Sequence, residues 1–127
     1  MTFRLIALIF FLQVVLSSAR NTCTNVPAKC KSVLQYSETI LTIEQNQEAI
    51  EYIRMWEELE RTECSSDLTK FLCGAYFPRC SDGKGSCQQL CTKSYNDCNE
   101  IVEDNNKTWP EPFSCENFYP TEYAVCT

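Results

Sequence analysis

The sequence predicts a small, mainly α, disulfide-rich domain. Three observations point there. Ten of the 127 residues are cysteines, and all ten follow an apolar leader. Only three residues are glycine, which leaves little material for long loops. Three stretches repeat apolar residues at helical rather than strand spacing.

The leader occupies residues 1–19. Arg4 supplies a positive start, Leu5 to Leu16 is apolar except for Gln13, and Ser17-Ser18-Ala19 presents small residues for cleavage. That is the pattern of a secretory signal peptide. The run falls short of the roughly 20 apolar residues that span a bilayer. The expected mature chain, 20–127, is one secreted domain with no stable membrane insertion. A domain of this size buries a modest core. An even cysteine count in an oxidising compartment reads as a disulfide framework, with each bridge contributing about 2–5 kcal/mol.

The net charge is −6, and loss of Arg4 with the leader makes it one unit more negative. Such a field disfavours nucleic acid. The chain has no histidine. That removes the commonest general base, the partner in Ser-His and Cys-His nucleophilic pairs, and the commonest zinc ligand. No catalytic residue, metal or cofactor is expected.

The first helix is expected over Ile43–Arg61. Thr42-Ile43-Glu44-Gln45 fits a capping box. Ala49, Tyr52, Ile53, Trp56 and Leu59 then follow on one side, with Glu44, Gln47, Glu51, Arg54, Glu58 and Arg61 opposite. A second helix is expected over Asp67–Tyr76, capped by Ser65 or Ser66 and stopped by Pro78. Its inner face is Leu68, Phe71, Leu72 and Ala75.

The third helix is expected over Cys87–Glu103, after a turn at Ser81-Asp82-Gly83-Lys84-Gly85. Ser86-Cys87-Gln88-Gln89 repeats the capping-box pattern. At about 100° per residue, Cys91 and Cys98 fall about 40° and 20° from Cys87. This thiol stripe must pair with cysteines elsewhere. The tail, 105–127, carries Pro110, Pro112 and Pro120 and is expected to be extended, fastened by Cys115 and Cys126. Trp109-Pro110 reads as a packed turn. Asn106-Lys107-Thr108 is a glycosylation sequon, with Asn106 expected to be exposed.

These spacings resemble the cysteine-rich (FZ) domain of Frizzled receptors, over nearly all of Cys23–Cys126. Cys64 is followed by eight residues ending Phe71-Leu72, then Cys73, then Tyr76-Phe77-Pro78-Arg79-Cys80. Cys87-x3-Cys91-x6-Cys98, ten residues, Trp109-Pro110 and Cys115-Glu-Asn-Phe-Tyr-Pro120 complete the match, and Tyr36-Ser-Glu-Thr39 resembles the Tyr-x-x-Thr after the second cysteine. The resemblance implies a helical domain with short strands. It also implies a pairing that the cysteines alone leave open: Cys23–Cys80, Cys30–Cys73, Cys64–Cys98, Cys87–Cys126 and Cys91–Cys115.

The resemblance further implies binding of a secreted, Wnt-like ligand whose acyl chain lies in an apolar groove. The positions carried over are Trp56, Leu59, Phe71, Ala75, Tyr76 and Phe77. This chain departs from the family at Ile40–Glu44, which runs straight into helix and is a few residues shorter, and at Glu57-Glu58 and Asn105–Thr108, which give the groove a polar rim on two sides. A sugar on Asn106 would crowd it further. Two readings follow: a secreted binder of lipid-bearing ligands that modulates Wnt-type signalling, or an extracellular interaction module that keeps the scaffold without lipid or Wnt binding.

Overall fold

The computed structural model describes residues 23–126, so the expected leader and cleavage site lie outside the described residues. The element order is β1 (Thr24–Asn25), α1 (Ala28–Lys31), β2 (Glu38–Thr39), α2 (Ile43–Arg54), α3 (Glu57–Arg61), α4 (Leu68–Tyr76) and α5 (Gln88–Asp104). Three 3₁₀ turns follow, at Glu111–Phe113, Cys115–Asn117 and Thr121–Tyr123. The expected extended tail is therefore a string of tight turns, each preceded by Pro or Ser.

β1 and β2 pair antiparallel, with Thr24 opposite Thr39 and Asn25 opposite Glu38. Two residues per strand cannot hold a sheet alone; an antiparallel bridge from Thr39 to Arg79, with Ile40 N donating to Pro78 O (3.2 Å) and Cys80 N to Glu38 O (3.0 Å), extends the pairing, and side chains add to it. Asn46 of α2 is buried and donates its amide to Thr24 Oγ1 (2.9 Å) and to the Asn25 carbonyl (2.8 Å). The fully buried Thr39 donates its hydroxyl to the Pro78 carbonyl at 2.6 Å. Tyr36 donates to the Phe77 carbonyl at 2.7 Å, and burial pushes its phenol up to about 12.

α4 runs through the centre. Leu68, Phe71, Leu72, Cys73 and Gly74 are all buried; of the expected face, Leu68, Phe71 and Leu72 are inside, while Ala75 is only partly buried. The α4 entrance is not capped as expected. Asp67 occupies the cap position without a side-chain bond, and Ser65 accepts the Asp67 amide at 3.3 Å one step outside the helix. Gly74 permits close approach to the segment before α5, because a Cβ there would lie 2.2 Å from Ser86 Oγ.

α5 begins one residue later than expected, and its capping box does not form. Ser86 Oγ instead donates to the Phe71 carbonyl at 2.6 Å, inside the protein. The amides around the α5 start are taken by the tail: Cys87 N donates to Val125 O (3.0 Å) and Gln88 N to Tyr119 O (2.8 Å). At α2, by contrast, both halves of the Thr42–Gln45 box are present.

The expected single helix Ile43–Arg61 is two helices. At the junction Met55 N and Trp56 N bond three residues back, to Tyr52 O and Ile53 O, both at 3.1 Å. That is 3₁₀ tightening. α3 restarts at Glu57, with Trp56 as its cap residue at φ −92°, ψ −5°.

The five disulfides are Cys23–Cys80, Cys30–Cys73, Cys64–Cys98, Cys87–Cys126 and Cys91–Cys115, the same pairing that the resemblance implies. Cys87, Cys91 and Cys98 are all fully buried, as a stripe on an inner face requires.

Candidate ligand groove

The α2–α3 break has a consequence for the surface beside it. Tyr52, Met55, Trp56 and Leu59 form one wall of a groove of about 720 Å³. Tyr76 from α4, Ile101 and Val102 near the α5 C-terminus, and Pro110, Pro112 and Phe113 of the tail also line it. Small-molecule sites are commonly about 300–1,000 Å³ and mostly apolar.

Trp56 organises this region. Its ring meets Trp109 edge-on at 5.3 Å between centroids and Phe113 at 5.4 Å. Its Nε1 donates to the Tyr76 hydroxyl at 2.9 Å. Tyr76 in turn sits edge-on to Phe113 at 5.1 Å and stacks with Tyr52 at 6.3 Å. Burial raises the Tyr76 phenol above its ordinary value, against the opposing pull of the Trp56 bond. The Tyr52 phenol is also raised, because its hydroxyl donates to Glu48 Oε1 at 3.2 Å. Trp109 Nε1 donates to the Phe113 carbonyl at 2.7 Å, which pins the tail as the packed turn expected there.

Of the six positions carried over from the family, Trp56, Leu59 and Tyr76 line the groove. Phe71 and Phe77 do not: both are fully buried in the core and offer no surface. Phe71 stands behind the wall instead, edge-on to Phe113 at 5.8 Å and to Phe118 at 5.0 Å. Ala75 is partly buried and also lies off the groove. Trp56 itself is only 8% exposed, so it belongs as much to the core as to the groove.

The polar rim is also redistributed. Glu58, Thr62, Asn105, Lys107 and Thr108 are the groove's polar lining. Lys107 Nζ lies 3.7 Å from Glu58 Oε2, and both side chains are largely exposed. Glu57 turns away and pairs with Arg61 at 3.7 Å. Sequence reasoning missed Tyr52, Met55, Thr62, Ile101, Val102 and the tail residues Pro110, Pro112 and Phe113 as groove residues. The signal for the tail was the clustering of aromatic residues among its prolines.

Every cysteine is disulfide-bonded. Among the described residues no His, Cys, Asp or Glu cluster is arranged to hold a metal, and no helix is long and apolar enough to cross a membrane.

The Fz domain family model matches residues 18–122. Secreted frizzled-related protein 4 of Macaca mulatta is 34% identical over 83 residues, covering 61% of this chain and 24% of that protein. The chain thus spans about a quarter of that relative's length. Atrial natriuretic peptide-converting enzyme of Rattus norvegicus is 27% identical over 112 residues, which are 80% of this chain but 10% of that protein. Among solved structures, the crystal structure of the Smoothened CRD superposes with a TM-score of 0.57 at 32% identity, covering 84% of this chain and 94% of that one.

Proposed function

The chain belongs to the Fz domain family, and from that premise we propose that it is a secreted binding module, not an enzyme. Its groove receives the apolar part of a Wnt-like or other lipid-bearing extracellular ligand, and it thereby modulates Wnt-type signalling. The observation that carries this reading is the groove itself: about 720 Å³ lined mostly by apolar residues, among them Met55, Trp56, Leu59, Tyr76 and Phe113, with Glu58, Asn105 and Lys107 interspersed. Each acyl methylene buried there contributes roughly 0.8 kcal/mol. Each polar rim group stripped of water without a partner costs about 1–3 kcal/mol, so Glu58 and Asn105 weaken the site without closing it.

The polar mouth favours the second reading, an interaction module that binds protein without lipid. One experiment separates the two. Binding of a fluorescent palmitate is measured for the parent and for Met55→Glu. Met55 is 79% exposed, so the change leaves folding within about 0.5 kcal/mol. It should weaken the probe at least about tenfold, through loss of an apolar wall contact. A parent that takes up no probe sinks the lipid reading and leaves the interaction module.

A further inference from the structure

We propose that a second pocket, between α5 and the start of the tail, binds an arginine side chain from a basic segment of a protein partner. This site is independent of the groove reading, since the two linings share only Thr108.

The geometry begins with the spacing along α5. Tyr95, Asn99 and Glu103 recur every four residues and so lie along one flank of the helix. Thr108, Trp109 and Ser114 of the tail line the same pocket, of about 440 Å³. The Tyr95 and Trp109 rings stand at 89° with centroids 5.5 Å apart, and Tyr95 is 38% exposed. Asn99 Nδ2 donates to Glu103 Oε1 at 3.1 Å. That bond engages one carboxylate oxygen and leaves Oε2 without a partner among the described residues. The pocket therefore combines two aromatic rings, a carboxylate, and acceptor oxygens on Asn99, Thr108 and Ser114. No lysine or arginine lines it. Aromatic faces and carboxylates both attract a cation.

The charge around the pocket has the same sign. Residues 97–127 hold seven acidic side chains and one basic, Lys107, an imbalance equal to the whole chain's net −6. Every ion pair among the described residues takes its carboxylate from residues 57–82, including the pair that Lys107 makes. The acids of the α5 C-terminal half and the tail are therefore not neutralised within the fold. Glu100, Glu111 and Glu116 are exposed, as is Glu103. A segment with several positive charges gains from that field, where a lone cation gains little. Among cationic side chains, arginine fits the lining. Its guanidinium is planar and weakly hydrated, stacks on a ring, and meets a carboxylate and a neighbouring oxygen at once. A lysine ammonium is compact and strongly hydrated, and a pocket with Tyr95 and Glu103 exposed does not strip it of water.

The test uses the full chain with its disulfides formed, as the parent and as Glu103→Gln, Tyr95→Leu and Glu122→Gln. Glu122 is exposed and lies outside the pocket, so its variant makes the same charge change without touching the site. Three dye-labelled octapeptides are titrated by fluorescence anisotropy at low salt: glycine alternating with arginine, with lysine, or with neutral citrulline. The parent should bind the arginine peptide at least about threefold more tightly than the lysine peptide and leave the citrulline peptide unbound. Glu103→Gln should weaken the arginine peptide at least about fivefold and Glu122→Gln by less than about twofold. Tyr95→Leu should abolish the preference for arginine over lysine. A parent that binds no arginine peptide overturns the inference. So do equal losses in Glu103→Gln and Glu122→Gln, which would show a diffuse field and not a pocket, and so does an arginine preference that survives Tyr95→Leu. Should Tyr95→Leu fold poorly, the two glutamate variants, both at exposed positions, decide the matter alone. Palmitate uptake by the groove bears on none of these outcomes.

Discussion

The two long helical segments show two ways of holding a helix. α5 is stapled along its length: the cap residue Cys87, then Cys91 and Cys98, each bond a different distant segment. It stays unbroken from Gln88 to Asp104. The α2–α3 segment lies between Cys30 and Cys64 and contains no cysteine. It is held by packing and by polar bonds, Asn46 at one end and Trp56 at the other. That segment breaks, and the break is where the groove wall forms. The staples make a rigid hub, and the unstapled helix is free to adopt the shape that presents Tyr52, Met55 and Trp56 together.

The largest expected effect comes from unstapling the hub. Replacing Cys64 and Cys98 together by Ser releases a bridge with a sequence separation of 34. The loss should be about 4 kcal/mol, read as a fall of the thermal midpoint well beyond ten degrees. A loss below about 1 kcal/mol would mean that packing, not bridging, holds α5. Next is Trp56→Ala, the packing counterpart on the unstapled side. It removes three aromatic or hydrogen-bonded contacts. Because the groove already opens beside it, the expected cost is about 3 kcal/mol, the low end for a buried aromatic. Denaturant unfolding checks it. This cost also disqualifies Trp56→Ala as a binding probe, since a loss of ligand would be confounded with a loss of fold.

What was legible in the sequence follows the same division. The thiol stripe of α5 could be read because 3.6-residue periodicity and the need to pair both act on it. The existence of a helix after Thr42 was legible for the first reason alone, and its break was not. Arg54-Met55-Trp56-Glu57-Glu58 contains neither Gly nor Pro, the residues that announce an interruption. The turn is set by what Trp56 reaches, Tyr76 and the tail, and those partners lie 20 and more residues away. Periodicity also fixes face and not depth. It placed Phe71 correctly inward, but only packing shows it fully buried behind Phe113 and not on the groove. The tail residues that line the groove, Pro110, Pro112 and Phe113, have no period to read.

The smallest effect concerns the two capping-box sequences, which look alike in the chain and differ in the fold. At α2, Gln45 N donates to Thr42 Oγ1 (3.2 Å) and Thr42 N to Gln45 Oε1 (3.0 Å). At α5 the corresponding serine hydroxyl points inward to Phe71 O, and the tail carbonyls of Tyr119 and Val125 take the amides. Thr42→Ala should therefore cost about 1 kcal/mol and speed hydrogen exchange at the Gln45 amide. Gln89→Ala, the matching half of the absent box, removes an exposed side chain and should change stability by less than about 0.5 kcal/mol. Exchange at the Cys87 and Gln88 amides should stay slow, because tail carbonyls and not side chains protect them. Faster exchange there in Gln89→Ala would show that α5 is side-chain capped after all, and the contrast between the two helices would shrink to their disulfides.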